Sequence, residues 1–304
     1  MVSNTVRRVG LSVAVVAALT SVAACGGSDD GGKAKSGSGG DSVAKASPIA
    51  ALIAVQKKTG NAHSAKVEGT TTMGSAMSMK QSGVMDWSDG ITGTMQITQT
   101  GGAMADTMEQ LGSDGTMEAR YFKDGYAVDM GEAMSQQTGG KRWISYSYDD
   151  LAQMGGASGA ALKEQMENTT PDQGVKSLLA SGDVKKVGQE DVRGVSATHY
   201  SGTVDVADLT AKNAELDADE LAALKKQLAD AGITTETVDI WVDGNDLLVK
   251  KTERGRMKTG ELNSTVFYSD YGTKVSVERP PAAQTVEFTE LMKQQQGAIG
   301  GAAS

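Results

Sequence analysis

The sequence predicts an α+β fold: a large curved antiparallel β-sheet wrapped around a few α-helices. Two observations carry this. Short runs of alternating side chains follow one another, separated by Gly- and Asp-containing turns. Helical periodicity is confined to stretches near 48–59, 160–180 and 217–230. Strands joined by tight turns form an antiparallel meander, and a sheet with one apolar face needs helices to cover it.

In chain order, Ser47 and Pro48 supply an N-cap and a first-turn proline, and Ile49, Leu52, Ile53 and Val55 form the apolar stripe of a short helix ending near Gly60. Strands are expected near 64–73, 76–87, 91–99, 116–122, 125–130 and 142–147, with hairpin turns at Asp89-Gly90 and Asp124-Gly125. Strands return near 183–189, 196–206, 235–243, 246–256 and 261–270. Asp243-Gly244-Asn245-Asp246 is the sharpest hairpin signal among them. The helix near 217–230 places Leu221, Leu224 and Leu228 on one stripe, with acids in its first turn, lysines later and Gly232 as a stop.

The N-terminus has a different character. Arg7 and Arg8 precede an apolar run from Val9 to Leu19, too short to cross a bilayer, which takes ~20 apolar residues. The run fits the h-region of a secretory signal peptide and closes on Val22, Ala23, Ala24 and Cys25. This order resembles the lipobox of bacterial lipoproteins. It implies cleavage before Cys25, acylation of its thiol and anchoring at the outer face of the cell membrane. Cys25 is the single cysteine, so no disulfide is available, and a lipid thioether would leave no free thiol outside the cell. Two or more acyl chains anchor stably where one holds weakly. Residues 25–47 read as a flexible Gly/Ser tether. The expected organisation is a leader over 1–24, the acylated tether over 25–47, one domain over 48–296 and a disordered tail over 297–304.

Two stretches carry a family resemblance. One is Val187-Gly188-Gln189-Glu190-Asp191-Val192-Arg193-Gly194-Val195-Ser196-Ala197-Thr198-His199-Tyr200; the other runs Val238-Asp239-Ile240-Trp241-Val242-Asp243-Gly244-Asn245 and on to Lys251. A strand, a Gly turn, a Thr-His-Tyr strand, a helix and a Trp-Val-Asp hairpin together are similar to the LolA/LppX-like bacterial lipoproteins, in particular the LppX–LprG group. The resemblance implies a half-barrel on helices with an apolar cavity that takes acyl chains of a lipid or lipoglycan. These motifs specify the fold, so no ligand-binding residue is carried over. The same scaffold also suits an envelope sensor or protein-interaction module with no lipid ligand.

The 304 residues hold 29 basic and 38 acidic side chains, a net charge of −9 that becomes more acidic once Arg7 and Arg8 are removed. That balance argues against nucleic acid and against an electrostatic grip on anionic headgroups. No enzymatic activity, cofactor or metal is expected. The Ser-x-x-Lys at 42–45 lies in the tether, where no rigid oxyanion site can form, and the glycines at 156 and 159 miss the nucleophile-elbow spacing around Ser158. His63 and His199 are the only histidines, too few for a zinc site or a Ser-His-Asp machine. His199 reads as a hydrogen-bonded structural residue beside Tyr200. Twelve of the 15 methionines lie between Met73 and Met166. Flexible thioethers can line an adaptable pocket or fill a core, and Met77 with Met79 is a candidate soft-metal pair. Trp87, Trp143 and Trp241 read as packing residues, with Trp241 on the opposite strand face from Ile240 and Val242.

Overall fold

The computed structural model describes residues 47–155, 170–205, 222, 225, 226, 228, 229, 232–257 and 260–300. The expected leader, Cys25 with residues 26–46 of the expected tether, residues 156–169 and most of 217–230 lie outside the described residues.

The described strands form one twelve-stranded sheet in the order β12-β6-β5-β4-β3-β2-β1-β11-β10-β9-β8-β7. Its first meander comprises β1 (Ser64–Met73), β2 (Met77–Asp86), β3 (Thr92–Gly101), β4 (Thr116–Phe122), β5 (Gly125–Asp129) and β6 (Trp143–Ser147). The second comprises β7 (Lys185–Val192), β8 (Val195–Asp205), β9 (Thr235–Val242), β10 (Leu248–Met257) and β11 (Gly260–Ser269). Antiparallel pairing of β1 with β11, from Lys66 opposite Ser269 to Met73 opposite Leu262, joins the two. The sheet is antiparallel throughout except for β12 (Thr285–Glu287), which runs parallel to β6.

The strands fall where the alternating runs place them, with one local shift. The hairpin loop between β4 and β5 is Lys123-Asp124, because Phe122 pairs with Gly125. Gly125 is therefore a strand residue, and its role is close approach: a Cβ there would lie 2.1 Å from the Tyr146 carbonyl oxygen.

Helix α1 (Pro48–Gly60) starts as expected, with the Ala50 amide donating to the Ser47 hydroxyl at 3.2 Å. It buries Leu52, Val55 and Thr59, and burial of each apolar side chain contributes ~1.5–3 kcal/mol. Its end is pinned to the sheet: the Leu248 amide donates to Thr59 Oγ1 and Trp87 Nε1 donates to the Gly60 carbonyl. Helix α5 (Gln173–Ala180) lies against α1 and across β8 and β9 on the same face. The remaining described helices are α2 (Ala103–Gln110), the single turn α3 (Gly131–Ser135), α4 (Tyr148–Gly155) and α6 (Phe288–Gly300). Residues 297–300, expected in a disordered tail, thus continue α6. The run from Gln294 to Ile299 holds good helix formers, and Gly297 alone does not end it.

Between β11 and β12 the chain forms a strap. The Gly272 amide donates to the Ser64 carbonyl, Arg120 donates to the Glu278 carbonyl and Lys141 to the Ala283 carbonyl. Arg279 grips the Asp124 carboxylate with one nitrogen at 2.5 and 2.6 Å and covers the Phe122 ring. The strap brings β12 to the edge of β6, and α6 then turns onto the inner face, where Phe288 stacks on Tyr146 at 4.9 Å.

Candidate functional site

The inner face of the sheet carries one apolar cluster that includes residues of α1, α5, β1–β6 and β8–β11. The methionines account for much of its first half: Met77, Met79, Met95, Met108, Met117 and Met130 are buried in it, and Met73, Met85 and Met104 pack at its margin. Met134, Met154 and Met166 cannot be placed in this way, since the first two have no described side chain and the third lies outside the described residues. Toward the β4–β6 end the cluster is aromatic, with Tyr121, Tyr126 and Tyr146 stacked in sequence.

Strand register puts Thr71, Met73, Gln81, Leu262 and Ser264 on this same face. They stay half-buried, whereas neighbouring Val67, Met79, Ile97 and Val266 are buried. A second apolar patch, Val204, Leu228, Ile233 and Met257, lies beyond them and touches Met73 and Leu262. The centre of the inner face is thus a partly open strip with an apolar patch on each side.

Three charged groups sit at this strip. Lys251 is 2 % exposed and donates to Glu253 Oε1 at 2.7 Å. Glu236 is 7 % exposed and lies one strand over, facing inward between Val204 and Gly255. Burial, reinforced by the negative charge of Glu253 and opposed by Lys251, pushes the Glu236 carboxyl up to about 8. Burial lowers the Lys251 ammonium, but the Glu253 charge and hydrogen bond, together with Tyr268 and Glu236, outweigh it and the net shift is upward. Sequence reading missed these residues. A β-bulge between Leu248 and Lys250 reverses the alternation, so Lys251 and Glu253 face inward where plain alternation from Leu248 puts them outside.

His199 and Trp241 belong to the outer face. His199 Nδ1 is 2.8 Å from Glu190 Oε1 and Nε2 is 2.9 Å from Asp239 Oδ1. The ring stacks on Trp241 at 4.2 Å, and Trp241 Nε1 donates to Glu190 Oε2. Lys250 covers the other side of the indole at 3.8 Å. Among the described residues, Trp241 is therefore buried on the outer face by Glu190, His199 and Lys250, beside Val192, Ala197 and Val249. Its neighbour Asp239 also accepts from Thr252 and Arg254. Burial raises the Asp239 carboxyl, but hydrogen bonds from Ser201, His199 and Thr252 bring it below the usual carboxylate range. Trp241 and His199 hold Glu190 low as well. A depressed carboxylate contributes stability that is present above its unfolded value and lost as pH falls through its folded one. Asp239→Asn should cost about 1.5–3 kcal/mol at pH 7, the range for hydrogen bonds to charged groups. Urea titrations across pH should show the difference closing below pH 3.8, the carboxyl's ordinary value. A pH-independent difference would place the effect in packing.

Trp143 is likewise an outer-face residue, covered by the Arg120 guanidinium at 4.5 Å, while His63 is the residue before β1 and has φ 66°. Two clefts among the described residues carry charged side chains: one of about 310 Å³ includes Glu68, Lys80, Arg193 and Phe267, and one of about 430 Å³ includes Asp114, Glu118 and Arg142. Neither is the apolar cavity that a lipid carrier requires. Among the described residues, no group of three or more His, Cys, Asp or Glu is arranged to hold a metal, and no helix is long and apolar enough to cross a membrane.

No family model matches the chain. It is 68% identical over 262 residues to an uncharacterized 31.2 kDa protein of Streptomyces griseus, covering 86% of each chain. It is 44% identical over 310 residues to a Streptomyces coelicolor protein named "Putative lipoprotein", covering 97% of this chain and 99% of that one. Among solved structures it is similar to lipoprotein LppX of Mycobacterium tuberculosis, at 14% identity and a TM-score of 0.46, covering 77% of this chain and 100% of that one.

Proposed function

The chain belongs to the family of these two Streptomyces proteins, and from that premise we propose that it is an extracytoplasmic lipoprotein, anchored through acylated Cys25, that binds an acyl lipid on the inner face of its sheet. The lipoprotein name of the S. coelicolor relative supports the first part, as does the order of charged residues, apolar run, Val22, Ala23, Ala24 and Cys25. The observation that carries the second part is the inner face itself. A twelve-stranded open sheet lines it with unbranched, adaptable methionines, and its central strip is left only partly covered. Beyond Cys25, the anchored state needs no contact with headgroups, and the acidic net charge keeps the body off an anionic surface.

The test uses the full chain extracted from bacterial membranes. Mass spectrometry of its N-terminal peptide should show a diacylglyceryl group on Cys25, and Cys25→Ser should lose both the group and membrane retention. Native mass spectrometry of the same sample should show a further non-covalent mass, released by organic solvent and identified as an acyl lipid. A clean protein mass, unchanged after incubation with envelope lipids, would replace the carrier reading with that of an interaction module on the same scaffold.

A further inference from the structure

We propose that the outer face of the sheet carries a groove that binds a linear, uncharged glycan, laid across the strands from β11 to β5. The groove involves neither the inner face nor a lipid, and so goes beyond the reading above.

Strand pairing lines up one row of side chains. Phe267, Glu68, Ser82, Gln96, Glu118 and Asp129 stand opposite one another in the successive pairings of β11, β1, β2, β3, β4 and β5. Their neighbours along the strands, such as Val67, Ile97 and Val128, are buried in the inner core, so the row faces outward. Five strand spacings of ~4.8 Å give it a length of about 24 Å. Both charged clefts lie along this row. The first reaches from Phe267 and Glu68 to Gln96, the second from Gln96 to Asp129, and Gln96 lines both.

Charge selects the occupant. Each carboxylate of the row holds one arginine at 2.7 Å: Glu68 with Arg193, Glu118 with Arg120 and Asp129 with Arg142. Surface pairs of this kind add little stability, so the fold alone gives small return for three in a line. The charges that flank the row are Lys80 at the first cleft and Asp114 and Glu132 at the second. They are of opposite sign, so neither a polyanion nor a polycation matches the whole length. Between the ion pairs, Thr70, Ser82 and Thr98 offer hydroxyls and methyl groups, and the exposed Gln96 amide both donates and accepts. A sugar chain has the same make-up, with hydroxyl edges around C–H faces. A protein partner would need an exposed apolar anchor, and the ring in the row, Phe267, is covered by Arg193 at 3.7 Å. An extended peptide cannot add as a further strand, because each of these strands is paired on both sides.

The probes are chitohexaose, cellohexaose and maltohexaose, with the disaccharide of each as a short control. Each is titrated calorimetrically into the full chain held in amphipol. One hexamer or more should bind about tenfold more tightly than its disaccharide, since only a long ligand engages the whole row. Its affinity should stay within about twofold between low and high salt, because no ion pair forms with it. Gln96→Ala, where the clefts meet, removes a donor and an acceptor and should weaken that hexamer about tenfold. The residue is exposed, so the melting profile should not move. Failure of all three hexamers to bind, or binding that Gln96→Ala leaves intact, overturns the groove. Hexamer binding that fades with salt overturns the uncharged ligand. A protein that copurifies with wild type and is lost in Gln96→Ala, with no hexamer bound, makes the row a protein interface instead.

Discussion

Lys251→Met should destabilise the protein by about 3–5 kcal/mol at pH 8, the range for removing one partner of a buried pair. Lys251 is 2 % exposed and is the cation beside two inward-facing carboxyls, Glu253 and Glu236. Without it, both carboxyls are buried with no opposing charge. The Glu236 carboxyl, already raised by burial, then loses the one charge that opposes that rise, so stability is fully present below its unfolded value, 4.5, and lost as pH rises through the folded one. The difference from wild type should therefore shrink from pH 8 to pH 5 in urea titrations. Lys251→Met with Glu253→Leu should recover most of the loss, because it removes a charge along with its partner. A small, pH-independent effect would mean that Lys251 reaches water.

The second large effect is expected at the junction of helix and sheet. Leu178 is fully buried, and its Cδ1 lies 2.8 Å from the point a Cβ on Gly202 would occupy. The absent side chain in β8 is the socket for this leucine, and Val175 and Ile240 close the space around it. Leu178→Ala should cost about 2–5 kcal/mol, as truncations at sites that cannot collapse do. Leu178→Met, which keeps the volume, should stay within ~1.5 kcal/mol. Calorimetric melting of both variants decides this. An alanine variant as mild as the methionine one would show that α5 settles into the gap.

These two sites differ in how far the sequence discloses them. The strands around Gly202 and Ile240 are visible in the alternation, and so is the Asp243–Asp246 hairpin. The inward charges are not, since Val249 is an inserted residue whose bulge depends on pairing with β9. Trp241 was legible as lying opposite Ile240, but its cover comes from Glu190, His199 and Lys250 on β7, β8 and β10, which no local pattern encodes. Helix α2 escaped notice because it follows Gly102 in a left-handed conformation and has no side-chain cap. Strand β12 has three residues, too few to display a period, and its place is fixed by the strap. Cys25 and the residues before it that resemble a lipobox are the reverse case: the reading comes from the sequence, and they lie outside the described structure.

The seam between β1 and β11 bears on the order in which the molecule assembles. Every other antiparallel pairing joins strands consecutive in the chain, so hairpins of both meanders can form as soon as their residues are free. The seam must bring Lys66 to Ser269, across most of the chain, as the strap must bring β12 to β6, and loop-closure entropy opposes both. Until the seam closes, β1 presents an unpaired edge whose Thr70, Thr71 and Thr72 offer a template to any other strand. Folding should accordingly be a fast formation of two halves followed by slow closure of the seam and the strap. Encounters between molecules, rather than the chemistry of the inner face, would be the hazard during that interval.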